Sequence, residues 1–224
     1  MIPFLWHQAG EGRYEGQTGA LQITCQPPRG LQLTHERLRI PAVLAIEIVS
    51  AAGLPAQQLV TWGNKPEIVI RQESLFVKYR PAETQNIECD VRWRISPEGS
   101  LDLEVSALTP GNWENVGIQT CSVLPAGEVI LLDDVTPPIF VWRPEQNEVS
   151  YVEFCHPEDG MALDQESLTN GGTVLRYKLF GHDLEKGVIL RGRLRGRLVP
   201  RSEDVTAARS AYQDFLKAPP HLSF

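Results

Sequence analysis

The chain has 224 residues, 42% of them hydrophobic and 22% charged, and this composition excludes an intrinsically disordered protein. Its formal net charge of −7 argues against nucleic acid as a principal partner. All-β sandwiches and barrels often form one domain at this length, so residues 1–224 are predicted to form a single domain.

The N-terminus and the cysteines favour a cytoplasmic protein. The first residues lack the charged segment and the apolar run of a signal peptide. No apolar stretch approaches the roughly 18 residues needed to cross a bilayer, so no membrane partner is predicted. The four cysteines include no Cys-x-x-Cys pair that would indicate a zinc or redox site, and we expect reduced thiols.

Strand-like segments recur about every ten residues and are separated by turns that contain proline, glycine or asparagine. Strands are predicted at 31–39, 43–50, 67–71, 75–80, 87–95, 101–107, 116–124, 129–132, 139–142, 149–155, 173–181 and 188–200. We therefore predict an all-β fold, an antiparallel β-sandwich with at least about 40% strand, against roughly 20–25% in an average domain.

The clearest pair of strands is a hairpin within residues 87–107, where apolar and polar residues alternate on both sides of a five-residue turn. If this turn closes symmetrically, Trp93 lies opposite Leu103 in the core. Arg94 then lies opposite Asp102 on the other face, which we expect to be exposed to solvent.

One helix is predicted at about residues 202–217. Ser202 can cap its N-terminus, and the acidic Glu203 and Asp204 suit the positive end of the helix dipole. Apolar residues recur at helical spacing up to a stop at Pro219, so the helix is expected to pack over a sheet edge or face.

Several common sites are excluded by inspection. The chain has no phosphate-binding loop, no GxGxxG, no HExxH and no GxSxG. Its five histidines are scattered and form no His-x-His pair, so neither a metal nor a cofactor is predicted.

A basic run lies in the last predicted strand, and its guanidiniums share one strand face. The run consists of Arg191, Arg193, Arg195 and Arg197. One interpretation is a floor for an anionic or polyhydroxylated ligand, because guanidiniums suit bidentate contacts with carboxylates and phosphates. The alternative is cross-strand pairing with an acidic sheet face such as the one that bears Asp102 and Glu104.

The segment 153–160 is the densest cluster of reactive side chains. Glu153 and His156 could flank a cleft as an acid–base pair. The alternative is a polar strand end and an ordinary turn, with Glu158 and Asp159 in solvent. Trp113, at a loop edge, could stack on a sugar ring or could cover the end of the sandwich.

The stretch 91–124 resembles the middle of the galactose-mutarotase-like β-supersandwich proteins. A strand at 91–95 leads through a glycine turn to a strand at 101–105, and a loop and an inner strand at 113–120 follow. The resemblance covers about 35 residues. It implies a supersandwich of large antiparallel sheets that binds sugars on the concave face of one sheet.

The resemblance departs from the mutarotases at the end of the inner strand. Those proteins carry a catalytic histidine there, where this chain has Gln119, Thr120 and Cys121. The acid–base pair of the family is therefore not carried over to any residue.

We interpret the chain as a carbohydrate-binding protein, with or without catalysis, whose sugar ligand is anionic. The predicted ligand-binding residues are Arg191, Arg193, Arg195, Trp113 and His156. One alternative is an epimerase or another carbohydrate-active enzyme that uses His156 and Glu153. Another is a protein-interaction module without a small-molecule ligand. The sequence predicts no oligomeric state.

Overall fold

A computed structural model describes residues 4–27, 29–49, 66–79, 88–108, 113–160 and 162–218, without the side chains of 48–49, 113–116 and 181–184. Two eight-stranded antiparallel sheets form a sandwich, and strands make up 63% of the structure. The predicted antiparallel β-sandwich with one C-terminal helix is therefore confirmed.

The strands are β1 His7–Gly10, β2 Arg13–Thr18, β3 Leu21–Cys25, β4 Leu31–His35, β5 Leu38–Val49, β6 Glu67–Arg71, β7 Ser74–Tyr79, β8 Glu88–Ile95, β9 Ser100–Leu108, β10 Trp113–Leu124, β11 Gly127–Leu132, β12 Ile139–Pro144, β13 Val149–Cys155, β14 Ala162–Ser167, β15 Thr173–Leu184 and β16 Ile189–Pro200. Sheet 1 has the order β1-β2-β3-β4-β5-β10-β15-β14, and sheet 2 has the order β11-β12-β13-β16-β9-β8-β7-β6. The main core lies between the two sheets and draws on both of them.

The predicted register of the β8–β9 hairpin is confirmed. Trp93 lies opposite Leu103, and Arg94 lies opposite Asp102. Trp93 is fully buried, and its indole Nε1 donates a hydrogen bond to the carbonyl of Leu44 in the opposite sheet, at 3.0 Å. The hairpin therefore connects the two sheets as well as pairing within sheet 2.

The charged face of this hairpin is not exposed, contrary to the prediction. Asp102 and Glu104 are each only 6% exposed. The cause is crowding by arginines, because Arg92 of β8 and Arg195 of β16 extend over these carboxylates at 3.4 and 2.5 Å.

The helix α1, Asp204–Lys217, packs on the outer face of sheet 2 against β12, β13 and β16. The rings of Tyr212 and Phe215 lie 5.5 and 5.4 Å from that of Phe154 and form a second apolar cluster. The helix starts two residues later than predicted and has no side-chain cap from Ser202. Asp204 is buried instead and pairs with the Arg143 guanidinium at 2.8 Å.

Within the described ranges no helix has the length and apolar character needed to cross a lipid bilayer.

All four cysteines are buried free thiols: Cys25, Cys89, Cys121 and Cys155. Burial raises the pKa of each thiol above its ordinary value, which keeps the thiols protonated and unreactive. We therefore expect thiol titration of fresh protein, in denaturant and without reductant, to count four groups. A count of two or none would mean that disulfides form.

Candidate functional site

The arginine strand β16 lies in the middle of sheet 2, between β9 and β13, where its arginines meet carboxylates. Arg195 lies directly opposite Asp102. Its Nε and Nη2 donate to the two carboxylate oxygens at 2.5 and 3.1 Å, so the pair is bidentate. The same guanidinium lies 5.0 Å from the centre of the Phe215 ring, under the C-terminal end of α1.

Arg193 is engaged by the loop that follows β13. Its Nε donates to Asp159 Oδ2 at 2.6 Å, and its Nη2 lies 3.9 Å from Glu158 Oε2. The expectation that both acids lie in solvent is therefore wrong for Asp159, whose side chain is 13% exposed. It holds for Glu158, whose side chain is 80% exposed.

His156 joins the same cluster. Its backbone N–H donates to the carbonyl of Arg193 at 3.0 Å, and its ring packs edge-on against Phe215 at 5.7 Å. Burial and the nearby Arg193 charge lower the pKa of His156, although Asp159 at 4.0 Å opposes this. The imidazole is therefore held largely neutral beside the arginines.

The structure thus brings together three of the predicted ligand residues. A shallow pocket beside them is lined by Asp102, Leu103, Glu104, Arg193, Leu194, Arg195, Phe215 and Ala218. Arg191 lies farther along the strand, is exposed, and has no ion pair with any described residue. The Trp113 side chain lies outside the described residues, and its backbone begins β10 of the other sheet.

The guanidiniums of Arg193 and Arg195 are directed at carboxylates of the protein itself. This geometry fits the cross-strand pairing alternative for Arg195. For Arg193 it fits a related pairing with a loop, because Glu104 lies opposite but Asp159 takes the hydrogen bond. The ligand floor stays a prediction, and a ligand there would have to compete with these carboxylates.

The structure does not bring Glu153 and His156 to one surface. Glu153 points into the space between the sheets and is fully buried. Its Oε2 accepts hydrogen bonds from the hydroxyls of Ser122 in sheet 1 and Tyr151, at 2.7 and 2.6 Å. An acid–base pair of Glu153 and His156 has no common cleft in which to act.

Sequence reasoning missed a polar group on the outer face of sheet 1. We name Glu47, Gln119, Arg176 and Glu166 the sheet 1 polar face; they lie on β5, β10, β15 and β14, four adjacent strands. Gln119 Nε2 donates to Glu47 Oε2 at 2.8 Å. Arg176 lies between two carboxylates, 3.6 Å from that of Glu47 and 2.9 Å from that of Glu166.

The carboxylates of this face are more accessible than Arg193 and Arg195 of sheet 2, whose side chains are 12% and 15% exposed. The side chains of Glu47 and Glu166 are 42% and 56% exposed. Next to them a small apolar patch is formed by Ala45, Cys121 and Val174. Burial, together with Glu47, raises the pKa of Cys121 to about 12, so this thiol acts as an apolar group and not as a nucleophile.

The sheet 1 polar face combines carboxylate acceptors, an amide that both donates and accepts, and a guanidinium that donates in one plane. Sugar hydroxyls donate and accept at once, so such a mixed set can satisfy both roles. The described side chains of β5, β10, β14 and β15 include no histidine. Among the side chains described there, the face offers carboxylates and no imidazole for proton transfer.

Comparison of the sequence with protein-family models and with curated proteins finds no match. Solved structures do resemble the fold. A candidate aldose 1-epimerase from Klebsiella pneumoniae has a TM-score of 0.60 at 11% identity, over 95% of this chain and 87% of that one. A candidate aldose 1-epimerase from Escherichia coli K12 has a TM-score of 0.55 at 10% identity, over 84% and 99%.

Part of a larger protein is also similar. The heparan sulfate lyase HepC from Pedobacter heparinus has a TM-score of 0.58 at 10% identity, over 88% of this chain and 37% of that one. The chain therefore has the fold of the aldose 1-epimerase structures, the galactose-mutarotase-like supersandwich that the sequence resemblance implies.

Proposed function

We propose that the protein binds a carbohydrate on the sheet 1 polar face and does not catalyse a reaction there. The observation that carries the proposal is the connected set of Glu47, Gln119 and Arg176, which joins three adjacent strands and stays accessible. Charge-assisted hydrogen bonds of this kind are about twice as strong as neutral ones and fix the orientation of a ligand.

The fold supports this placement. The sequence resemblance implies sugar binding on the face of one large sheet, and β10 is the inner strand of that resemblance. Two residues of this strand at which the sequence departs from the mutarotases, Gln119 and Cys121, face the same side as Glu47 and Arg176. Several solved structures with this fold are named for aldose or glycan chemistry.

The charges on the sheet 1 polar face argue against the anionic sugar that was predicted from the sequence. Arg176 is already flanked by two carboxylates, whereas an anionic sugar gains most from guanidiniums without partners. A ligand here would replace part of the Gln119–Glu47 and Arg176–Glu166 contacts with contacts to its own hydroxyls.

The proposal is tested by titration calorimetry with a panel of neutral and anionic mono- and disaccharides up to millimolar concentration. We expect a ligand in the panel, and we expect Arg176→Met to weaken its affinity by about 10- to 100-fold, the effect of losing one charged hydrogen-bonding group. The matched control is Arg191→Met, an exposed arginine on sheet 2, which should leave affinity unchanged. Arg176→Met should melt like the wild type, because its ion pairs are partly exposed.

Two results would contradict the proposal. If no sugar binds the wild type at millimolar concentration, carbohydrate binding is wrong and the protein-interaction alternative gains weight. If Arg191→Met weakens binding and Arg176→Met does not, the ligand lies on the arginine strand, as the sequence predicted. The enzyme alternative is checked by polarimetry, where interconversion of sugar anomers faster than the spontaneous rate would show catalysis.

A further inference from the structure

The hydrogen bonds of Glu153 connect the two sheets at a fully buried point. Its Oε2 accepts from Tyr151 of its own strand and from Ser122 of β10. Ser122 Oγ in turn accepts from the backbone N–H of Leu44 in β5 at 3.0 Å. One carboxyl group therefore links β13 of sheet 2 to the adjacent strands β5 and β10 of sheet 1.

Among the residues that the structure describes, no cation lies beside this carboxyl group. The described titratable side chains that face it are Tyr151, Tyr177 and Cys155, and each is neutral because its own pKa is raised. Tyr177 donates to the backbone carbonyl of Glu153 and not to its side chain. Oε1 has no hydrogen-bond partner among the described residues, and neither does the buried Thr120 hydroxyl on the same side of β10.

A charged carboxylate in this setting would be unstable. Moving an ionised carboxylate out of water without a counter-ion is strongly unfavourable. A neutral carboxyl group needs no counter-ion, and Oε1 can carry the proton while Oε2 accepts the two hydroxyls. Burial accordingly raises the pKa of Glu153 to about 7, although the Tyr151 and Ser122 hydroxyls oppose this.

We propose that Glu153 is a proton-dependent latch between the sheets: protonated, it holds β13 to β5 and β10, and loss of the proton opens this connection to water. β10, one of the strands that the latch holds, carries Gln119 of the sheet 1 polar face on its opposite side. Ser122 and Thr120 point inward from β10, whereas Gln119 and Cys121 between and beside them point outward. Opening the latch would therefore disturb Gln119 and its bond to Glu47.

The direction with pH follows from the raised pKa. A carboxyl group whose folded pKa lies above its ordinary value of 4.5 contributes stability that is fully present below that value. This stability is lost as the pH rises through about 7 and changes little beyond. Between pH 6 and pH 8 the equilibrium constant for opening should rise about tenfold.

Amide hydrogen exchange tests this without any ligand, so its outcome does not depend on whether a sugar binds. Protection, normalised to the intrinsic exchange rate at each pH, should fall about tenfold from pH 6 to pH 8 in peptides from β5, β10 and β13. Glu153→Gln keeps the neutral shape and cannot ionise, so the fall should vanish. The matched control is Glu128→Gln, an exposed carboxylate of the same sheet, which should behave like the wild type.

A second variant covers the case in which Glu153→Gln does not fold. Tyr151→Phe removes a hydroxyl that favours the ionised form, so the fall in protection should move to higher pH. An unchanged protection in the wild type between pH 6 and pH 8 would overturn the latch. The same fall in Glu153→Gln, or an unmoved midpoint in Tyr151→Phe, would also overturn it.

Discussion

Replacing Trp93 with alanine is expected to lower the free energy of unfolding by about 3–5 kcal/mol, because the loss of this fully buried indole leaves a cavity between the sheets. The substitution also removes the indole N–H that donates a hydrogen bond to the carbonyl of Leu44. Leu44 has a φ of 53°, an unusual value for a branched residue, and this hydrogen bond helps to hold it there. Urea or guanidinium denaturation measures the change.

Two further variants separate the contributions. Trp93→Phe keeps an aromatic ring in the core but loses the N–H donor, so its loss of unfolding free energy should be smaller than that of Trp93→Ala. Arg94→Ala, on the other face of β8, removes contacts at 3.2 and 4.0 Å to Glu73 and Asp102 from a side chain that is 22% exposed. It should cost at most about 1 kcal/mol. Equal losses for Trp93→Ala and Arg94→Ala would contradict the burial of Trp93.

The sequence analysis missed the strands β1, β2, β3 and β14. β3 does have an alternating apolar face, with Leu21, Ile23 and Cys25 buried, so its signal was present and overlooked. β14 and β1 are almost wholly exposed edge strands, so they carry no period-two apolar signal. The segment predicted as one strand at 31–39 is two, because Glu36 turns the chain with a φ of 51°. Glutamate gives no turn signal of the kind that glycine or asparagine gives.

The exposure of the hairpin could not be predicted from its own residues. Alternation placed Asp102 and Glu104 on one face of β9, but what covers that face is β16, which pairs with β9 from about 90 residues away, and α1 beyond it. Local pattern assigns a residue to a face, whereas only the strand order decides whether the face is solvated. Because the strand order cannot be read from the local pattern, the partners of the arginine run could not be predicted either.

The site on sheet 1 was missed for a related reason. Glu47 and Arg176 lie in mainly apolar strands, and each looks like an ordinary outward-facing position. They become neighbours only because β5, β10 and β15 are adjacent, although they are far apart in the sequence. The one available signal was the departure from the mutarotases at Gln119 and Cys121, which lie between them.

Removal of the Asp102 carboxylate is expected to cost about 3 kcal/mol, because it leaves the Arg195 guanidinium without its partner in a site only 15% exposed. Arg195→Met, which keeps apolar bulk against Phe215, should lose less than Asp102→Ala. The double variant should then recover part of the loss, with a coupling of about 2 kcal/mol in a double-mutant cycle. Denaturant melts at fixed pH provide all four values.

The exposed ion pair of Arg13 and Glu15 is the control for the buried pair of Asp102 and Arg195. Arg13→Ala breaks a contact of 2.5 Å with Glu15 in which the side chains are 49% and 32% exposed, so the melt should be unchanged. A coupling near zero between Asp102 and Arg195 would mean that the bidentate contact contributes nothing and that the arginine is kept for another purpose. If Arg195→Met then folds normally but loses a sugar that the wild type binds, the arginine strand is the ligand floor after all. A large coupling with unchanged sugar binding would instead establish Asp102–Arg195 as a structural pair beneath α1.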